Sequence, residues 1–358
     1  MIDGLRHDTT AHFITVRGRF MLQLAKLCFS FTFVLAIAFA PAFTHTLSTV
    51  ASAQARQIEI WKQQGWKTDF SKMSVTPGSI LNGGPPRDGI PPIDSPQFVP
   101  VEGHDDLDDR EPVIGLSIKG DHRAYPLRIM TWHEIVNDVV GGKPVTVTYC
   151  PLCNAAIVFE ATLDGVRMDF GTTGKLRKSD LIMYDRQSDS WWQQFTGKAI
   201  AGAMLGKTLA LVPARLENWR QFRERHPDGR VLVPNNRRLR DYGRNPYVSY
   251  DTADRPFLYR GAMPKGIEPM ERVVVVRRAE AEPLIVKMAL IANSQKRTIE
   301  GLAFSFEAGQ ASALDTPKIA KGRDVGTVTV TKDGALMPYD VTFAFVAHAF
   351  HPNVEIMK

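Results

Sequence analysis

Cys150 and Cys153 are the residues whose type and spacing point most directly to chemistry, in the string Tyr149-Cys150-Pro151-Leu152-Cys153-Asn154. Such a pair serves three chemistries. Outside the reducing cytoplasm, neighbouring thiols oxidise to a disulfide. At the start of a helix the pair forms a redox dithiol, because the helix dipole lowers the pKa of the first thiol. At the end of a strand it forms a metal knuckle. Residues 144–149 alternate as a strand should and residues 155–159 read as strand, so the long helix of a redox dithiol is missing. Pro151 stiffens the loop, and Asn154 tolerates a left-handed conformation that would aim backbone N–H groups at the sulfurs. Disulfide, metal and redox readings all stay open. Zinc would need two further ligands and copper(I) one or two, with His133, His351, His348 and Met183 as candidates.

A second constellation gathers Asp180, Asp185, Arg186, Trp191, Trp192 and Gln193 in a short span. Carboxylates as acid and base, indoles as stacking platforms and Gln or Arg as orienting donors would furnish a sugar or peptide cleft. The competing reading is a polar turn between two strands, with the indoles in the core. Gly171-Thr172-Thr173-Gly174-Lys175 is not a phosphate loop, since Asp169 stands where the first glycine is needed and Leu176 where Ser or Thr is needed. A glycine-mediated turn or a small backbone nest for an anion, with Lys175, Arg177 and Lys178 beside it, accounts for that run. The Arg-dense stretch 215–244 reads as a solvated face or as a contact for an anionic ligand.

These groups have to be held by strands. Residues 112–118 and 122–127 flank Gly120-Asp121 as a hairpin, and residues 155–161 and 166–170 flank Asp164-Gly165. Residues 273–276, 327–331 and 339–347 alternate likewise, with Lys332-Asp333-Gly334 as a turn. Residues 129–140 predict a helix capped by Thr131 and ended by Gly141-Gly142, burying Trp132, Ile135, Val136 and Val139; residues 216–222 predict a shorter one. The expected fold is α+β and β-rich, with antiparallel hairpins and few short helices. Matches at an offset of 160, Asp94 with Asp254, Pro96 with Pro256, Glu111 with Glu271 and Val113 with Val273, raise two related β-units as an organisation.

The first residues carry Arg6, Arg17, Arg19 and Lys26, then an apolar run over residues 27–40 and small residues that offer cleavage near Ala53 or Ala55. That is the build of a signal peptide over residues 1–53, with Met21 as an alternative start, and it places the mature chain in the periplasm or outside the cell. No later stretch is long enough to span a bilayer. The formal net charge is +6, and cleavage would remove four basic and two acidic side chains, too weak a balance to suggest nucleic acid. A small molecule or an envelope component is the partner class left. Residues 54–110, rich in Pro and Gly, read as a wrapping arm, residues 111–290 as the main domain and residues 291–358 as a β-rich segment packing on it.

Several strings occur together and in order: Trp66-Lys67-Thr68-Asp69-Phe70-Ser71-Lys72, Ile90-Pro91-Pro92-Ile93-Asp94-Ser95-Pro96, Trp132-His133-Glu134-Ile135-Val136-Asn137-Asp138, and the cysteine string. With Gly171-Thr172-Thr173-Gly174, residues 179–186 and Trp191-Trp192-Gln193-Gln194, the chain over roughly residues 66–290 resembles the domain of unknown function 3179 family of exported bacterial and archaeal proteins. Ala349-Phe350-His351-Pro352 resembles an ending of the same family. The resemblance implies a shared fold and site and assigns no catalytic residue. Function is therefore expected at the Cys-Pro-Leu-Cys site, as metal binding or redox chemistry; the alternative is a non-catalytic envelope binding or scaffold protein with a structural disulfide.

Overall fold

The strand Lys143–Cys150 shows how residue choice builds this molecule. Val145, Val147 and Tyr149 occupy one face and Thr146 and Thr148 the other, and all five are buried, so neither face of the strand meets solvent. On the threonine face Thr148 Oγ1 donates to the Ile157 carbonyl at 2.7 Å, while the Thr146 hydroxyl is buried without a hydrogen-bond partner among the described residues.

The computed structural model describes residues 52–278 and 281–358. Nearly all of the expected signal peptide lies outside the described residues. The chain divides into two compact units, Met1–Trp61 and Lys62–Lys358. The described part of the first, residues 52–61, is helical, and the helix continues to residue 63. No helix among the described residues is long and apolar enough to cross a membrane.

The second unit contains five sheets of four or five strands among the described residues, arranged as the blades of a five-bladed β-propeller. One sheet runs Leu211–Val212, Ala155–Glu160, Lys143–Cys150, Ile135–Val140, and carries the cysteines at its end. Another runs Ile80–Asn82, Phe170–Arg177, Asp180–Asp185, Trp191–Gln193, Lys198–Ala201, and supplies Asp180. The third runs Arg215–Asn218, Pro112–Ile118, Asp121–Pro126, Arg230–Val233, Gln97–Pro100. The fourth runs Tyr339–Phe343, Arg272–Val276, Leu284–Lys287, Ile356–Met357, and the fifth Lys296–Ile299, Leu302–Glu307, Thr327–Lys332, Ala335–Leu336. The second unit is thus β-rich with short helices among the described residues, and five blades organise it in place of two β-units.

Within the five blades, a strand order recurs. The third and fourth sheets each place a strand, its hairpin partner and then a parallel strand side by side, Asp121–Pro126 with Arg230–Val233 and Leu284–Lys287 with Ile356–Met357. In the third, the Trp219 N–H donates to the Glu111 carbonyl at 2.8 Å, and in the fourth the Ala344 N–H donates to the Glu271 carbonyl at 2.8 Å.

Local expectations met several corrections. The helix predicted over residues 129–140 is a helix only over Leu127–His133; Glu134 turns to φ 59°, and Ile135–Val140 is a strand, which suits its β-branched residues and leaves Val139 exposed. The predicted wrapping arm supplies two edge strands, Ile80–Asn82 and Gln97–Pro100. The Asp164-Gly165 turn closes only a two-residue ladder, while Ala155–Glu160 pairs with Lys143–Cys150. The predicted helix over residues 216–222 begins at Trp219, because Asn218 forms a capping box with Gln221 and residues 215–218 extend as strand. Tyr339–Phe343 is a strand that passes into the helix Ala344–Phe350.

Candidate functional site

The strand Lys143–Cys150 ends where Pro151–Cys153 makes one 3-10 turn, and Asn154, at φ 51° and ψ 35°, reverses the chain into the strand Ala155–Glu160. The left-handed residue read from the sequence is therefore present. The turn brings both thiols to one spot in the interior, with Cys150 1% and Cys153 0% exposed.

Against them sits the tip of another hairpin. Lys178 and Ser179 both hold positive φ, 57° and 66°, between the strands Phe170–Arg177 and Asp180–Asp185. Two-residue hairpin loops of this kind prefer Asn-Gly, so Lys-Ser is a strained choice, held by its surroundings. The Ser179 carbonyl lies 3.9 Å from the Cys150 sulfur and 3.6 Å from the Cys153 sulfur. Cys153 Sγ donates to Asp180 Oδ1 at 3.4 Å, while Asp180 Oδ2 accepts from Gln193 Nε2 at 2.6 Å and the Phe195 N–H at 2.9 Å. One ligand atom each from Cys150, Cys153 and Asp180 lies within 4.8 Å of the others, and all three residues are buried.

The electrostatics are those of acids packed away from water. Burial pushes both thiols up, and the Asp180 charge adds to the effect. Burial also raises the Asp180 carboxyl to about 6, against the hydrogen bonds that favour its charge. Arg177 stands opposite Asp180 across the hairpin but donates to Gln193 Oε1 at 3.2 Å. Glu134 adds a further acid, raised to about 8 by burial and then by Asp180. Its backbone is fixed between the Met130 carbonyl and the Tyr149 N–H, at 2.8 Å each, and its side chain has no hydrogen bond or ion pair among the described residues.

Of the residues singled out in the sequence, Cys150, Cys153 and Asp180 come together, with Gln193 bound to the carboxylate. The proposed histidine ligands do not join them. His133 spends Nδ1 on the Pro91 carbonyl at 2.7 Å and Nε2 on the Tyr242 hydroxyl at 2.8 Å. His351 packs near Phe195, with ring centroids 6.3 Å apart. Asp185 is consumed by the Ser188 N–H and hydroxyl and by Trp192 Nε1, and Arg186 pairs with Asp94 at 2.6 Å. Trp191 and Trp192 are 0% exposed, with Trp191 edge-on to Trp66 and Phe70, so neither offers a ligand a stacking face and the cleft expectation is corrected to core and turn. Sequence reasoning missed Glu134, hidden inside the predicted helix; the signal was its place between a short helix and a β-branched run.

The family described as a protein of unknown function, DUF3179, matches residues 87–354. This chain belongs to that family. The DUF3179 match begins after the Trp66–Lys72 string and continues beyond residue 290 to include His351, so the family domain extends further than the internal motifs indicated. Glu134, Cys150, Cys153, Lys175 and Asp180 all lie inside it. Comparison with curated proteins and with solved structures found no match for the chain.

Proposed function

We propose that this DUF3179 protein is an exported metal-binding protein whose centre is Cys150, Cys153 and Asp180, with zinc the favoured ion. The observation that carries the reading is the convergence of three ligand atoms within 4.8 Å in a buried site. Two thiolates and a carboxylate there would concentrate negative charge with no cation bonded to it among the described residues, so the site holds either protons or a cation, and the convergence of its ligand atoms favours the cation. A carboxylate oxygen beside two sulfurs suits zinc, whereas copper(I) prefers soft donors throughout. Three protein ligands leave a fourth position for water or an exogenous group, the pattern of a reactive zinc site more than of a closed structural one. A redox dithiol is less well supported, because the cysteines sit in a 3-10 turn between strands, with no helix to lower a thiol pKa.

Export rests on the basic and apolar pattern of residues 6–40. In an oxidising compartment the metal would also keep the two thiols from joining. Elemental analysis of protein purified without chelators, with a thiol count before and after chelation, tests the centre. About one zinc per chain is expected, lost in both Cys150→Ser and Asp180→Ala. No metal and no free thiol would mean a disulfide and end the proposal. N-terminal sequencing of the same sample tests export, with a mature start at residue 54 or 56 expected and an intact leader refuting it.

A further inference from the structure

A cavity of about 740 Å³ borders the cysteine loop, reaching it at Leu152. Its volume falls in the range of small-molecule sites. Ile90, Leu152, Leu176, Leu181, Val248 and Phe257 give it mostly apolar walls. One carboxyl and one ammonium interrupt them, Glu134, 7% exposed, and Lys175, 4% exposed, with Tyr247 and Tyr250 also in the lining. Arg255 stands at the exposed edge.

Lys175 is the anomaly. Its ammonium makes no hydrogen bond or ion pair among the described residues, although its backbone is fixed in the bulge of the strand Phe170–Arg177 by the Thr173 hydroxyl at 2.9 Å. Among the described residues the buried Arg272 is matched by Asp251, and the part-buried Arg123 and Arg277 by Asp138 and Asp340. An ammonium on a nearly buried side chain with no counter-ion leaves its charge uncompensated within the protein. Glu134 does not supply that counter-ion, because the two side chains form no ion pair across the cavity they share. Burial lowers the Lys175 pKa and raises that of Glu134, as uncompensated charges would require. A single cation at depth and one at the edge fit a monoanion better than a phosphate, which would call for a cluster of donors.

We propose that this cavity binds a small amphipathic carboxylate, with its anionic head on Lys175, its apolar body along Leu152, Leu181, Val248 and Phe257, and room for a hydroxyl or amine substituent at Glu134. The site does not depend on the metal reading, since none of these contacts is a ligand of the proposed centre. Calorimetric titration of the purified full chain with octanoate and with uncharged octanamide tests it, before and after chelation. Octanoate is expected to bind one per chain and at least tenfold more tightly than octanamide, with and without zinc. Lys175→Met is expected to remove that preference and to leave octanamide binding unchanged, and its melting temperature should not fall because an unpaired charge is removed. Equal binding of the two probes, or binding of neither, overturns the proposal, and this comparison needs no variant. A preference that survives Lys175→Met but vanishes on chelation would place the carboxylate on the metal, and would overturn the role of Lys175 while supporting the zinc centre.

Discussion

Replacing Glu134 with glutamine should change how stability depends on pH. Glu134 is buried, unpaired among the described residues, and raised from 4.5 to about 8 in the folded chain. Below pH 4.5 the carboxyl is protonated in both folded and unfolded chains and contributes no pH dependence. Between 4.5 and about 8 the unfolded chain releases the proton while the folded chain keeps it. The folded state then binds more protons, so stability falls as pH rises through this window. The full span corresponds to roughly 5 kcal/mol, at about 1.4 kcal/mol per pH unit. Glutamine cannot titrate, and its unpaired amide adds a cost of roughly 1–3 kcal/mol that is the same at every pH. Urea unfolding of chelator-treated wild type and Glu134→Gln at pH 5 and pH 8 reads the effect together with the coupling of Glu134 to Asp180, since titrating groups not coupled to Glu134 cancel in the comparison. The wild type should lose about 4 kcal/mol more than the variant across that interval. A difference between the two proteins that stays constant within about 1 kcal/mol would refute the reasoning, and would mean that the carboxyl is solvated or paired.

Three further outcomes follow from other parts of the fold. Asp251 is buried and accepts from Arg272 and Arg323 at 3.0 Å each, so Asp251→Asn, which strands the buried Arg272, should cost about 3–5 kcal/mol in urea unfolding. Gly174 holds φ +68°, and a Cβ there would lie 1.9 Å from the Pro85 carbonyl oxygen, so Gly174→Ala should destabilise by more than about 2 kcal/mol in the same assay. His226 is lowered from 6.5 to about 4 by burial, then by Arg225 and by His122, against which it stacks at 3.9 Å. Stability should therefore fall as pH drops from 6.5 towards 4, by on the order of 1 kcal/mol once solvent screening of this partly exposed ring is allowed for, and His226→Gln should flatten that limb of a thermal melt series.

Much of the fold was legible in local pattern. Alternation over residues 112–118, 144–149 and 273–276 marked strands that are interior in their sheets, and Asn154 declared its left-handed turn through its residue type. The site was half legible. Cys150 and Cys153 announce themselves by spacing, but Asp180 reaches them only because two hairpins from different sheets meet tip to end, a contact between residues far apart in sequence. Histidine was the natural guess for a third ligand by residue chemistry, yet His133 is held by Pro91 and Tyr242. Glu134 and Val139 were misplaced because Ile135, Val136 and Val140 satisfy both helical and strand periods over so short a run, and only the backbone reversal at Glu134 decides between them. Trp191 and Trp192 show the opposite difficulty: residue types that suit a binding face are equally at home in a core.

Two polar junctions inside this molecule settle their buried charge in different ways. At the end of the strand Lys143–Cys150 the chain presents two thiols to Asp180; after the strand Leu302–Glu307 it presents Ser312, whose hydroxyl donates to Asp251 beside Arg272. One junction closes its electrostatic ledger internally, with an arginine against an aspartate. The other is left open, with acids facing acids. The protein thus carries a neutralised buried site beside which the unneutralised one can be measured. Swapping the polar residues between the two junctions would ask whether the scaffold or its charges make a site.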